Sequence, residues 1–146
     1  MKNIREQLFN IIEKSKEGTN FNSEQQCKKL ELIIKALPKD EAELLYNEWW
    51  NIRKEYGMDL NESEFNCLHI SNGGFIGGGD DSFYTDFGAW VVAQGEELLE
   101  QFKECGVLAI ASYIINNQIE KKDYMYECME YAFTTYLMED EMEDFK

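Results

Sequence analysis

Apolar side chains recur at helical intervals along almost the whole chain, and this spacing restricts the fold more than any other feature. Ile4, Leu8, Ile11 and Ile12 form a first stripe that should stop near Glu17-Gly18. Ser23 and Gln26 offer a capping box ahead of Cys27, Leu30, Ile33, Ile34 and Leu37, and Pro38 closes that segment. Asp40 is a candidate cap for a third helix with the stripe Leu44, Leu45, Trp49, Ile52 and Tyr56, ended by Gly57. A short fourth helix is expected around Phe65, Leu68 and His69. Phe83, Phe87, Trp90, Val91, Gln94, Leu98 and Phe102 then predict one long amphipathic helix at the centre of the core, broken at Cys105-Gly106. Val107, Leu108, Ile110, Ala111, Ile114 and Ile115 make a strongly apolar sixth helix, and Asp123 can cap a seventh carrying Tyr124, Cys128, Ala132 and Tyr136. No strand-like alternation interrupts the pattern. The expected architecture is all-α: one helical domain over residues 1–138, of six or seven helices, with an acidic tail over 139–146.

Between Gly73 and Gly79 the chain places five of its ten glycines, followed directly by Asp80 and Asp81. A glycine-rich loop entering a helix often cradles phosphate, but this run does not fit G-x-G-x-x-G and has no P-loop lysine. Asp80 and Asp81 also stand where a phosphate would need positive potential. Carboxylates at that place suit the helix dipole and its orphan N–H groups, so the structural reading is a loop that launches the central helix. The chemical alternative is a divalent cation held by Asp80, Asp81 and Asp86, since hard cations prefer oxygen ligands. Asp86-Phe87-Gly88 spells the magnesium-binding triplet of protein kinases without any companion kinase motif, and the match is accidental. Gly88 and Gly95 each cost a helix interior up to about 1 kcal/mol relative to Ala, which close packing of a neighbour would offset. His69 is the only histidine. It lies two residues from Cys67, a spacing that points the two side chains apart on a helix, so they are not a nucleophile and its base.

Charge narrows the partner classes. The net charge is −15, with residues 1–58 balanced to zero and the whole excess in residues 59–146. Neutralising phosphates needs clustered Lys and Arg, and an anionic membrane surface repels such a chain, so neither nucleic acid nor membrane is an expected partner. A basic protein is the favoured one. Cys27, Cys67, Cys105 and Cys128 show no CxxC pair, which points to reduced thiols rather than a zinc or redox site. With no secretory h-region near Met1 and no run of about 18 apolar residues, a soluble cytoplasmic protein is expected. No cofactor is expected.

The run ISNGGFIGGGDDSFYTDFGAWVVAQGEELLEQF resembles the signature of a bacterial family, domain of unknown function 4240. Gly78, Gly79, Asp80, Asp81, Phe83, Phe87, Trp90, Gln94 and Gly95 carry the resemblance, and the segments LFNIIEKSK and YMYECMEYAF extend it to residues 4–138. Gly88 stands where that family has arginine, and one residue is inserted between Phe83 and Phe87. The resemblance implies a small helical domain and no particular activity.

Three functional readings follow. The first is a non-enzymatic protein-binding module, analogous to immunity or inhibitor proteins that neutralise basic toxins, using Glu96, Glu97, Glu100 and Glu104. Glu96, Glu100 and Glu104 fall in line at i, i+4 and i+8, a mutual repulsion of a few tenths of a kcal/mol per pair that a cationic partner would relieve. A simply solvated face accounts for the same residues without any partner. The second reading is a metal-assisted hydrolase or small-molecule enzyme centred on Asp80, Asp81 and His69. The third is a self-association module using one of the adjacent tryptophans Trp49 and Trp50, because only one of the two can point fully into the core.

Overall fold

In the computed structural model, residues 3–56, 81–124, 126 and 129–138 are described, and among them the chain is all-α, with eight helices and no strand. The helix expected around Phe65 to His69, the glycine loop with Gly78, Gly79 and Asp80, and the tail over 139–146 lie outside these residues.

Helix α1 (Ile4–Lys16) starts where the Asn3 side chain accepts the Glu6 N–H at 2.7 Å, and it buries Leu8, Phe9, Ile11 and Ile12. Its end is marked by Gly18, whose φ of +74° favours glycine. Helix α2 (Ser23–Lys35) is capped by Asn22, which accepts the Gln25 N–H at 2.9 Å. The expected Ser23–Gln26 capping box is therefore displaced by one residue. Both side chains are committed elsewhere: the Ser23 hydroxyl donates to the Asp123 carbonyl at 2.8 Å, and the Gln26 amide donates to the Ala93 carbonyl at 2.7 Å.

Helix α3 (Lys39–Glu55) follows Pro38, whose ψ of 148° already turns the chain out of helix. Asp40 lies inside the first turn, where its charge suits the dipole, and is not the cap. Ala42, Leu45, Trp49, Ile52 and Arg53 form the buried stripe; Leu44, assigned to the stripe by spacing, is 58% exposed. Helix α8 (Tyr131–Leu137) closes over α2 and α3. Glu130 just before it accepts the Trp49 indole N–H at 3.0 Å and pairs with the fully buried Arg53, which itself lies over the Trp50 ring at 4.4 Å. Tyr136 donates to the Leu37 carbonyl at 2.6 Å.

The expected central helix is two helices. Helix α4 (Asp81–Val92) ends in a tight turn in which Gln94 and Gly95 donate to the carbonyls of Val91 and Val92, and α5 (Glu96–Cys105) starts after Gly95. Gly95 is not a helix-interior residue: its φ of +111° is a conformation that side chains disfavour, and a Cβ there would stand 2.4 Å from the Glu13 carboxylate. Because the turn is short, Leu98, Leu99 and Phe102 still face the core reached by Phe87 and Trp90, which is why the spacing runs unbroken through the interruption. Gly88 does sit inside α4 and is buried. Gly106, with φ +73°, separates α5 from α6 (Val107–Asn116), and the two helices pack as a hairpin.

The expected seventh helix is also divided, into a single turn α7 (Lys121–Tyr124) and α8. Asp123 caps neither: its carboxylate accepts the backbone N–H of Ser23 at 3.0 Å, which orients α7 across the start of α2. Trp90 anchors this region, stacked on Phe87 at 5.8 Å between centroids and met edge-on by Tyr113 and Tyr124. No helix among the described residues is long and apolar enough to cross a membrane.

Two substitutions test this account. Gly95→Ala should lower the unfolding free energy by about 1–3 kcal/mol in urea titrations, because the backbone strain of a left-handed alanine persists even after the flexible Glu13 side chain moves aside. Ser23→Ala should cost about 1–3 kcal/mol by stranding buried polar partners, and Asn22→Ala about 1 kcal/mol by removing the cap.

Candidate functional site

Helix α5 carries Glu96, Glu97, Glu100 and Glu104, and all four are exposed. The helix explains why: Leu98, Leu99 and Phe102 turn inward, and the glutamates occupy the opposite side. Glu96, Glu100 and Glu104 form the expected row along one side of that face. Among the described residues none of the four has an ion-pair partner, although Lys103 lies on the same helix.

The first part of the chain treats its carboxylates differently. Arg5 bridges Glu48 at 2.6 Å and also reaches Glu55, while Lys16, Lys28 and Lys35 pair with Glu13, Glu24 and Glu31. Half of the ten described carboxylates of this part are thus locally paired, whereas the four glutamates of α5 are exposed without an ion-pair partner among the described residues.

Two tyrosines stand at the edges of this face. Tyr56, at the end of α3, donates its hydroxyl to Glu100. Burial, then that bond and the charges of Glu100 and Glu55, push its phenol up to about 12. Tyr113 on α6 donates to the Gln94 side-chain oxygen at 3.0 Å, and its phenol is raised by burial first and by the charges of Glu13 and Glu97 next.

A groove of about 260 Å³ lies among Glu13, Lys16, Gln94, Glu97, Gln101 and Tyr113, between α1 and the α5–α6 hairpin. A second groove of about 300 Å³ follows the α1–α2 turn past Gly18, Asn20 and Phe21, all three at positive φ. Three of its polar side chains are already engaged: Lys16 donates to the Gln94 carbonyl at 2.6 Å, Thr19 to the Lys16 carbonyl at 2.7 Å, and Gln26 to Ala93.

The remaining sequence candidates are distributed as follows. Asp81 opens α4 and Phe83 lies in its first turns. Phe87 and Trp90 are fully buried, and Asp86 is partly buried on the same helix. Asp80 and His69 lie outside the described residues, so the expected acidic loop site does too. No group of three or more metal-ligating side chains occurs among the described residues. Trp49 is fully buried, and Trp50 is half-buried beneath Arg53 and edge-on to Tyr46.

Sequence reasoning placed Tyr56 only in the apolar stripe of the third helix and did not single out Tyr113, Glu13 or Lys16, because each meets α5 or the turn before it only through tertiary packing. No family model matches this sequence, and no curated protein or solved structure matches it significantly.

Raised tyrosine values fix the sign of an alkaline effect. The unfolded phenol ionises near pH 10 and the folded Tyr56 near 12, so the folded state holds the proton longer, and stability present below pH 10 is lost as pH rises toward 12. Tyr56→Phe should flatten the fall in melting temperature over that interval, while tyrosinate absorbance in the native protein should lag behind that of the denatured chain.

Proposed function

We propose that this chain is a non-enzymatic protein-binding module that engages a basic partner through α5, in the manner of an immunity or inhibitor protein. One observation carries the reading: five of the ten described carboxylates in the first part of the chain pair with Lys or Arg, and none of the four glutamates of α5 does. Holding Glu96, Glu100 and Glu104 in line costs a few tenths of a kcal/mol per pair, and none of the three has an ion-pair partner among the described residues. A cationic partner would relieve that repulsion and would be drawn in by the −15 net charge. Such a module would act in the cytoplasm.

The test is capture of partners from the native lysate at low and high salt, by the parent chain and by a variant with Glu96, Glu97, Glu100 and Glu104 exchanged for Gln. A basic protein should be retained at low salt, released at high salt, and lost from the variant, whose melting temperature should equal or exceed the parent's. Equal retention by the variant would remove α5 from the interface. A rise in melting temperature with divalent cations, without any captured protein, would instead support the Asp80 and Asp81 reading.

A further inference from the structure

In the groove of about 260 Å³ between α1 and the α5–α6 hairpin, hydrogen-bond donors and acceptors are out of balance. Gln94, 4% exposed, and the half-buried Tyr113 line its inner side, and Glu13, Glu97, Gln101 and Asn117 stand exposed around it. Four of its side chains already donate within the protein. The Lys16 ammonium donates to the Gln94 main-chain carbonyl at 2.6 Å, and the Gln94 amide to the Trp90 carbonyl at 3.1 Å. The Tyr113 hydroxyl donates to the Gln94 side-chain oxygen at 3.0 Å, and the Asn117 amide to the Tyr113 carbonyl at 2.9 Å. With its one proton committed, the Tyr113 hydroxyl can only accept from anything that enters.

The carboxylates are left over. Glu97 has neither a hydrogen bond nor an ion pair among the described residues, and Glu13 has only Lys16 at 3.7 Å, beyond hydrogen-bonding distance. The charges of both carboxylates act on the Tyr113 phenol, so α1 and α5 bring them to the same hydroxyl. Gly95 makes room for this: a Cβ there would stand 2.4 Å from the Glu13 carboxylate. Two negative charges thus share the groove with one positive charge, and the unused capacity is for accepting.

We propose that this groove receives one arginine side chain of the basic partner, its guanidinium lying between Glu13 and Glu97 and donating to the Tyr113 oxygen. This rests on the acidic-recognition reading above and deepens it, adding Glu13 of α1 to Glu97 of α5 and naming the group that is read. A guanidinium presents five donors in one plane and can meet two carboxylates at once, whereas an ammonium is a more strongly hydrated point charge. No third acidic or other metal-ligating side chain joins the pair among the described residues, which favours an organic cation over a metal ion. The groove is also smaller than the roughly 300–1,000 Å³ typical of small-molecule sites, a size suited to a single side chain.

The experiment titrates the full chain, followed by NMR, with N-acetyl-arginine methylamide, its lysine counterpart and its citrulline counterpart, which keeps arginine's shape without the charge. The arginine probe should shift the side-chain amide signals of Gln94, Gln101 and Asn117 and bind about fivefold more tightly than the lysine probe; citrulline should not bind. Glu97→Gln and Glu13→Gln should each weaken binding about tenfold, and Glu104→Gln, on α5 but outside the groove lining, should leave it unchanged. Should Glu13→Gln lower the melting temperature, Glu97→Gln alone decides, since that side chain is exposed and holds nothing within the described protein.

Equal binding of the arginine and lysine probes, or an equal loss in Glu104→Gln, would mean attraction by the overall field and would overturn the groove while leaving acidic recognition standing. No binding of the arginine probe would also overturn the groove; acidic recognition falls with it only if no basic protein is captured from the lysate.

Discussion

The indole of Trp90 is where the described parts of the chain meet. It is fully buried, and its N–H donates to the Ser23 hydroxyl at 3.1 Å, the same hydroxyl that reaches the Asp123 carbonyl. A single short chain of hydrogen bonds thereby ties α4 to the start of α2 and to α7, which are far apart in sequence. A buried polar group left without a partner costs about 1–3 kcal/mol, so these bonds select one arrangement of the three elements over competing apolar packings. Apart from Gln26 and the Arg53–Glu130 pair, most of the rest of the described interior is apolar and less directional. Gln94 extends the polar seam, donating to the Trp90 carbonyl and accepting from Tyr113, and so draws α6 toward the same centre.

Most of the helix content was legible because each helix carries a wide apolar stripe, and α1, α2 and α3 fall where spacing places them. The failures share a cause. Ser23 and Asn22 are equally good caps by chemistry; the choice was decided by Asp123, a hundred residues away, which occupies Ser23. The break at Gly95 was invisible to periodicity because the turn returns Leu98 to the same side as Trp90. Only the left-handed geometry of Gly95 separates the two helices, and a glycine within an apolar pattern does not announce that by itself. Leu44, Leu108 and Ile115 look like core residues in sequence because spacing identifies a face, while burial depends on whether another helix covers it.

The acidic row belongs to the opposite case. Its alignment follows from helix geometry alone, so Glu96, Glu100 and Glu104 could be read as neighbours without any tertiary information. What needed the structure was their surroundings: the tyrosines at the edges, the absence of ion pairs to the four α5 glutamates among the described residues, and the groove that Glu97 shares with Glu13. Segregated charge in a sequence is ambiguous, since paired and unpaired glutamates have the same composition. Arg5 between Glu48 and Glu55 shows how the first part of the chain resolves it.

Helix α5 is bounded at both ends by glycines at positive φ, Gly95 and Gly106, and it carries its acidic residues and its core residues on opposite sides of roughly three turns. The two sets therefore share one phase. Inserting or deleting a single residue within α5 would rotate everything beyond it by about 100°, carrying glutamates toward the interior and Leu98, Leu99 or Phe102 toward water. The outer face can thus change freely by substitution but not by length. Any diversification of what this helix recognises is confined to exchanging side chains on a scaffold whose register the core holds constant.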